Sequence, residues 1–474
     1  MATPDATAAP AGADPSGTMV GARLDALAAS PRLWARILLV SLGGAFEFYD
    51  LMMTGYVSPA LSRAGLFHTG RAGLFGQSDQ AVFNAATFLG LFLGALLVAR
   101  VADRFGRRSI FTAALVWYAV ATAAMAFSDT VLAIDTWRLI AGVGIGVELV
   151  TIDAYVGELA PARRRGAAFA INQSIQFLGV PAVAIACWLL LDRTPFGLAG
   201  WRWVMLLGAS GAAVVWLIRL GVPESPRWLA RQGRLAEAEA VLRRLEGRPP
   251  AAVPAPGRHR SPAGVAARAH PGRLAEAFRP PYARRTLMLA IFNVAQAIGY
   301  YGFGVWAPRL IANQGHSVFD SLGYAAAIAC AYPFSPLVCA LFADRFERKT
   351  LIIVAALSTC VLGLAFAGQH APLDIIALGV GITSSNNVLS FAFHAYQAEL
   401  YPTAIRARAV GFVYAWSRLA TAASGFAIAA LLDAFGAKGS LAVFIFIAGA
   451  MAVVVLSVGL LGPRTRGRAL EEIG

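Results

Sequence analysis

Glu47 and Asp50 stand inside the apolar run 34–58, and Arg138, Glu148 and Asp153 inside the apolar run 131–157. A charge at membrane depth is costly, so each of these is a candidate for handling a proton, an ion or a charged substrate. Glu47 and Asp50 are three residues apart and share one helix face. Depth can be counted from the run ends whose flanking loops lack Arg and Lys. At about 1.5 Å per residue, Asp50 lies roughly 12 Å inside its end and Arg138 roughly 10 Å inside its own. Opposite charges at one depth can pair. Such a pair is either a permanent structural bridge or a switch in which Asp50 exchanges Arg138 for a proton. Glu47 belongs with them as a further proton-coupling candidate.

A second group is polar but uncharged. Asn293, Gln296, Tyr300 and Tyr301 fall within 284–312, Asn386 and Asn387 within 371–400, and Asn172, Gln173 and Gln176 within 165–191. With Glu148 they fall near the middle of their runs. A polar group there must bond another protein group, cavity water or a ligand, because hydrocarbon supplies no partner. The substrate-binding candidates are therefore Glu148, Gln173, Gln176, Asn293, Gln296, Tyr300, Asn386, Asn387 and Arg418. Arg418 lies within 405–433 and either binds an anion or pairs with an acid of a neighbouring helix. His394 is a less certain member.

Placing these residues requires a set of spans. Of 474 residues 58% are hydrophobic and 14% charged, with mean hydropathy +0.62, whereas soluble domains carry roughly 25% charged residues. Reading apolar runs of about 20 residues between charged or Gly/Pro breaks gives twelve: 34–58, 79–100, 109–127, 131–157, 165–191, 201–220, 284–312, 320–343, 349–367, 371–400, 405–433 and 438–462. Arg and Lys alternate with the loops. Arg100, Arg104, Arg107 and Arg108 follow the second run, Arg163 to Arg165 follow the fourth, and fourteen arginines lie between Arg219 and Arg285. Segments 128–131, 313–319 and 434–437 contain none. The positive-inside rule puts both termini in the cytoplasm. It also accounts for the net charge of +14 without nucleic acid.

The chain is also a duplication. Residues 99–108, ARVADRFGRR, and 340–349, ALFADRFERK, match at six of ten positions. Residues 154–166, AYVGELAPARRRG, and 395–407, AYQAELYPTAIRA, match at six of thirteen, again 241 residues apart. Chance gives roughly one match per window. An all-α integral membrane fold is expected, with twelve transmembrane helices in two pseudo-symmetric six-helix bundles, 34–220 and 284–463. Residues 1–33 read as a disordered cytoplasmic tail and 464–474 as a second tail. Segment 221–283 reads as a cytoplasmic linker, with an amphipathic helix over 231–248 burying Leu235, Ala238, Leu242 and Leu245 and pairing Glu239 with Arg243. A further helical piece is expected in 273–280. Cys187, Cys330, Cys339 and Cys360 fall inside runs and read as small packing residues. No metal site, cofactor or enzyme motif is expected.

The motifs resemble the major facilitator superfamily over essentially all of 34–473. GALLVARVADRFGRR (94–108) is similar to that superfamily's signature loop. Three further motifs resemble its sugar-porter-like branch: Tyr155-x-x-Glu158-x-x-Pro161-x-x-x-Arg165-Gly166, Pro223-Glu224-Ser225-Pro226-Arg227-Trp228-Leu229, and the tail PRTRGRALEEI (463–473). Arg464 and Glu347 depart from the pattern, standing where Glu and Gly are usual. The resemblance implies alternating access, with Asp50 and Arg138 as the proton-coupling pair. It also implies a cytoplasmic latch, whose candidates are Asp103, Arg104, Arg107, Glu158, Arg165, Glu224, Arg227, Asp344, Arg345, Glu399 and Arg406. NVAQAIGYY (293–301) lacks the span-seven pattern of true sugar porters, and FEFYDL looks more like relatives that move carboxylates. The expected function is proton-coupled uptake of a small polar metabolite, an organic or aromatic acid, by a monomer in the inner (plasma) membrane. The alternatives are a sugar or polyol porter, an efflux antiporter, and a transport-inactive sensor.

Overall fold

The computed structural model describes residues 15–27, 30–68, 73, 76–105, 107–161, 164–221, 223–247, 274–342 and 345–465. Among the described residues eighteen α-helices follow one another. The first half holds α1 (Pro15–Ala26), α2 (Pro31–Arg63), α3 (Asp79–Phe105), α4 (Arg107–Ala126), α5 (Val131–Leu159), α6 (Arg165–Gln176), α7 (Gly179–Leu190) and α8 (Gly200–Gly221). The linker carries α9 (Pro226–Arg231) and α10 (Leu235–Glu246). The second half holds α11 (Tyr282–Gly304), α12 (Ala307–Asn313), α13 (Val318–Ala329), α14 (Phe334–Phe342), α15 (Arg348–Phe366), α16 (Pro372–Glu399), α17 (Thr403–Phe435) and α18 (Gly439–Leu461). No strand occurs among the described residues. Among the described residues ten helical stretches are long and apolar enough to cross a membrane; they fall on the expected runs other than 201–220, and one of them, Arg408–Leu461, covers the last two. The fifth run is broken into α6 and α7, and the eighth into α13 and α14.

Each break has a proline behind it. Pro181 and Pro333 lack the N–H that would continue the α-helical ladder, and the Phe177 and Ala329 carbonyls accept instead from the Val180 and Tyr332 N–H groups, each at 3.1 Å. The two broken helices face each other across the molecule. The Ser174 hydroxyl donates to the Pro333 carbonyl, and the Phe177 and Tyr332 rings meet edge-to-face at 5.6 Å. The halves join at two repeat-related seams, α6 and α7 against α14 and α13, and α3 against α17.

Within the first half α3 packs tightly on α5. The reason is a pair of small-residue stripes, Gly90 and Gly94 on α3 and Gly142 and Gly146 on α5. A Cβ on Gly146 would collide with the Leu91 carbonyl, and one on Gly142 would sit 2.6 Å from the Thr87 oxygen. Such close approach is how membrane helices gain packing energy. Gly146→Val is expected to lower the detergent melting temperature sharply, on the scale of about 1–3 kcal/mol for an overpacked core. Gly449→Ala, which meets nothing within 4 Å, is the control and should melt like the parent.

The duplication persists in the bonding. Tyr155 donates its hydroxyl to the Pro223 carbonyl. Its repeat partner Tyr396, 241 residues on, donates to the Pro463 carbonyl at 2.7 Å. Each half thus pins the segment following its last span to the end of its fourth. Glu347, where the signature would have Gly, accepts from the Thr465 backbone N–H at 3.0 Å, fastening the second of these segments.

The N-terminal segment corrects an expectation. Residues 1–33 read as disordered, yet 15–26 form α1, and α2 already begins at Pro31. The order comes from the linker. Arg23 bonds both Glu239 and Glu246 on α10, and Arg227 on α9 reaches Asp25 at 3.4 Å. The Glu239–Arg243 pair forms at 2.9 Å. Bonds from Arg243 and then Arg23 hold the Glu239 carboxyl below the ordinary glutamate range. Ala238, Leu242 and Leu245 of α10 are buried with Val241, whereas Leu235, expected inside, is exposed at the helix start. The piece expected within 273–280 is a single 3-10 segment, Leu274–Phe278.

Candidate transport site

Span one (α2) and span four (α5) meet at Asp50 and Arg138. Both side chains are fully buried. Arg138 Nη1 donates to Asp50 Oδ2 at 3.0 Å, Nη2 to the Asp50 backbone carbonyl at 2.7 Å, and Nε to Thr87 Oγ1 at 2.8 Å. Thr122 donates to the other Asp50 oxygen at 3.2 Å. The guanidinium also lies 5.7 Å above the Phe83 ring. Only the first of these contacts needs an ionised Asp50. Three others hold Arg138 in place if the carboxyl becomes neutral.

Glu47 and Glu148 are fully buried beside this pair, and neither carboxyl oxygen of either has a hydrogen-bond partner. Glu148 lies within electrostatic reach of both Glu47 and Asp50. The buried Tyr118 hydroxyl is likewise unbonded and stands near all three acids. A buried polar group left without a partner is costly, which singles out Glu47 and Glu148; the Arg418 guanidinium lies within electrostatic reach of Glu47.

Between the halves lies a cavity of about 440 Å³, a size suited to a small metabolite. Its residues come from α2, α5, α6, α11, α16 and α17. Phe48, Phe177, Tyr300, Tyr301, Phe391 and Tyr414 give it aromatic walls. Gln173, Gln176, Gln296 and Asn172 give it amides, and Asp153 and Arg418 give it one acid and one base. Arg418 donates to the Tyr301 hydroxyl at 2.9 Å and the Tyr414 hydroxyl at 3.2 Å, with its guanidinium 4.7 Å from the Tyr414 ring centre. Among the described residues no carboxylate lies within ion-pair distance of it. Across the cavity Asp153 accepts from Asn172 Nδ2 at 3.3 Å, and the Ser41 hydroxyl donates to Asn172 Oδ1 at 2.8 Å. His394 Nδ1 donates to the Ser390 carbonyl at 2.7 Å.

The cavity extends to Gly166, Phe169, Ala395 and Ala398, near the helix ends that adjoin the repeated charged motifs. The opposite side is shut. Phe88 and Tyr301 pack at 4.7 Å, and Arg309 donates to Gln80 at 3.0 Å across the two halves. Gly55 abuts the Val305 carbonyl so closely that any Cβ would collide with it.

The expected residues therefore separate. Gln173, Gln176, Gln296, Tyr300 and Arg418 line the cavity. Glu148, Asn293, Asn386 and Asn387 are buried but are not among its lining residues. Asn293 donates to the Leu289 carbonyl at 2.8 Å, and Asn386 donates to the Gly299 carbonyl and accepts from Thr359, both at 3.4 Å. Sequence reading left out Phe48, Phe391, Tyr414 and Ser417. Tyr414 was findable as the residue one turn before Arg418, but aromatics at helical spacing carry little signal alone. Of the latch candidates, Glu399 pairs with Arg348 at 3.6 Å and Arg406 Nε donates to the Tyr401 carbonyl at 3.1 Å, both inside the second half. Glu224 accepts from the Ser225 N–H at 3.1 Å, and Arg227 binds Asp25. Glu158 and Arg165 are half-buried at the ends of α5 and α6, and Arg345 is exposed. The side chains of Asp103, Arg104 and Arg107, and all of Asp344, lie outside the described residues.

Two seams join the halves around a central cavity, with the buried Asp–Arg pair beside it. A family profile described as Sugar (and other) transporter matches residues 37–474, and the chain belongs to that family, within the major facilitator superfamily. It is 30% identical over 468 residues, 96% of this chain and 98% of the relative, to an inner membrane metabolite transport protein, YdjE, of Escherichia coli (strain K12). It is 27% identical to the niacin transporter NiaP of Acinetobacter baylyi, covering 92% of this chain and 95% of that one. Among solved structures, the xylose transporter XylE of E. coli superposes with a TM-score of 0.73 at 20% identity, covering 93% of this chain and all of that one. The protein is a multi-pass membrane transporter and not an enzyme.

Proposed function

We propose that the protein carries a small organic or aromatic carboxylate into the cell together with a proton, across the inner membrane and with both termini in the cytoplasm. The observation that supports this reading most is Arg418. It is a buried guanidinium in the cavity whose hydrogen-bond partners are two phenols, with the Glu47 carboxyl within electrostatic reach but not bonded to it. A carboxylate substrate would supply the counter-charge, through the two-pronged geometry arginine favours. The aromatic walls suit a flat ring, and the amides of α6 and α11 suit its polar edge. A niacin-transporting relative is in keeping with that chemistry. Proton coupling is assigned to Asp50 with Arg138, and Glu47, three residues before Asp50 on α2, is assigned to it as a further carboxyl. Protonation of Asp50 removes the one charge–charge bond and lets α2 and α5 part at lower cost. The charged motifs at the α3, α5 and α16 ends are assigned to a cytoplasmic latch.

The test is uptake of radiolabelled nicotinate, benzoate and xylose into proteoliposomes with an acid exterior. Carboxylate accumulation that collapses with the pH gradient supports the proposal. Xylose accumulation without carboxylate uptake overturns it in favour of a sugar porter.

The cavity geometry also separates two amides. Gln296→Ala should raise the half-saturation concentration several-fold, the ~1 kcal/mol scale of one hydrogen bond, with the melting temperature little changed. Asn387, buried, with both side-chain polar atoms unbonded and not a lining residue, should do the reverse. Asn387→Ala should leave affinity alone and alter stability. Uptake kinetics and detergent melting on the same two variants check both.

A further inference from the structure

One acid remains outside these assignments. Asp135 lies in the first turns of α5, on the closed side of the molecule, one helical turn before Arg138. It is 6% exposed, and neither carboxyl oxygen has a hydrogen-bond partner. It shares its helix face with Gly142 and so looks onto α3. There its nearest charged neighbour is Asp79, in the first turn of α3 and only 2% exposed. Asp79 Oδ2 accepts from the His68 backbone N–H at 2.8 Å and lies 3.3 Å from His68 Nδ1. The His68 ring is the exposed member, at 64%. Along α3 below Asp79, Gln80 Nε2 and both polar atoms of Asn84 are also buried and unbonded. One turn further on, Thr87 holds Arg138.

Among the described residues, charged groups of the neighbouring elements are paired or distant. Arg309 of α12 is bonded to Gln80 and also reaches Asp433 at 3.4 Å. Helix α4, also packed on α5, carries its only charges, Arg107 and Arg108, at its opposite end. Asp129, in the connection after α4, is paired with Arg202 of α8. Among the described residues Asp135 therefore faces another acid, and the cation nearest to it along α5, Arg138, is committed to Asp50.

We propose that Asp135, backed by Asp79, is a proton-binding station on the outer side that loads and unloads Asp50; this rests on the proton-coupled reading above. The order of buried polar groups runs from the His68 surface through Asp79 and Asp135 to the Asp50–Arg138 pair. Unbonded polar atoms along that line are what a short chain of water needs for anchorage. In the loading step an outer hydronium ion gives its proton to the Asp135 carboxylate, leaving water and forming one O–H bond. In the second step that bond breaks, the proton passes along water, and an O–H bond forms on Asp50 Oδ2 as the Arg138 Nη1 contact is released. No electrons move and Arg138 keeps its proton throughout.

The experiment needs no transported substrate. The full chain is reconstituted in lipid, and its carboxyl C=O bands are followed by infrared difference spectroscopy after a downward pH jump. The parent should show separate bands removed by Asp135→Asn and by Asp50→Asn. In Asp135→Asn the Asp50 band should still appear but about tenfold more slowly, as expected when a positioned proton donor is lost. Asp135→Glu should restore the rate and confirms that the variants fold. An Asp50 band that rises at the parental rate in Asp135→Asn overturns the station. So does a parent spectrum with no titrating Asp135 band. Failure of the Asp50 band itself to titrate would instead overturn the coupling assignment, so the two failures are distinct.

Discussion

Replacing Asp50 by Asn is expected to abolish pH-driven accumulation while substrate exchange across the membrane continues. The physical basis is the division of bonds around Arg138. Asparagine keeps an oxygen for Thr122, and the backbone carbonyl of residue 50 still accepts from Arg138 Nη2. Thr87 still accepts from Nε. The guanidinium stays seated, so the loss that follows removal of one partner from a buried ion pair, about 3–5 kcal/mol, should be only partly felt. The variant copies the protonated state permanently. It can cycle with its load but cannot take or give the proton that pays for uphill movement. Counterflow and gradient-driven uptake, measured on the same proteoliposomes, check this. Accumulation by Asp50→Asn equal to the parent would return the pair to the role of a structural bridge.

Arg418→Ala should have the second largest effect, and on affinity rather than coupling. A hydrogen bond to a charged group contributes about 1.5–3 kcal/mol, so the half-saturation concentration for a carboxylate should rise roughly 10- to 100-fold. Arg418→Lys should recover only part of this. A lysine brings the charge but not the fork that reaches Tyr301 and Tyr414 together. An uncharged analogue, the corresponding amide, should lose its disadvantage in the Ala variant. Binding measured by scintillation proximity, alongside a melting curve, separates ligand loss from unfolding. Equal affinity for acid and amide in the parent would argue against an anionic substrate.

The sequence alone determined the membrane class, the twelve spans and the doubling. These rest on local and periodic signals: long apolar runs, arginine asymmetry and a motif repeated 241 residues later. It also determined the Asp50–Arg138 pairing, because a helix converts residue number into depth at a fixed rise. Depth, however, is only one coordinate. Rotation about each helix axis and the tilt of one helix against another come from packing, which no single run encodes. So Asn386 and Asn387, at the right depth, turned into the packing of the second half, while Tyr414, Ser417 and Asp153 turned toward the cavity. The same holds for α1, whose 15–26 segment looked orderless until the Glu239 and Glu246 carboxylates of α10 were brought beside Arg23. The tertiary structure alone decided that Arg418 meets phenols rather than an acid, and that Asp135 meets Asp79. Both are consequences of which helices the glycine seams and proline breaks allow to touch.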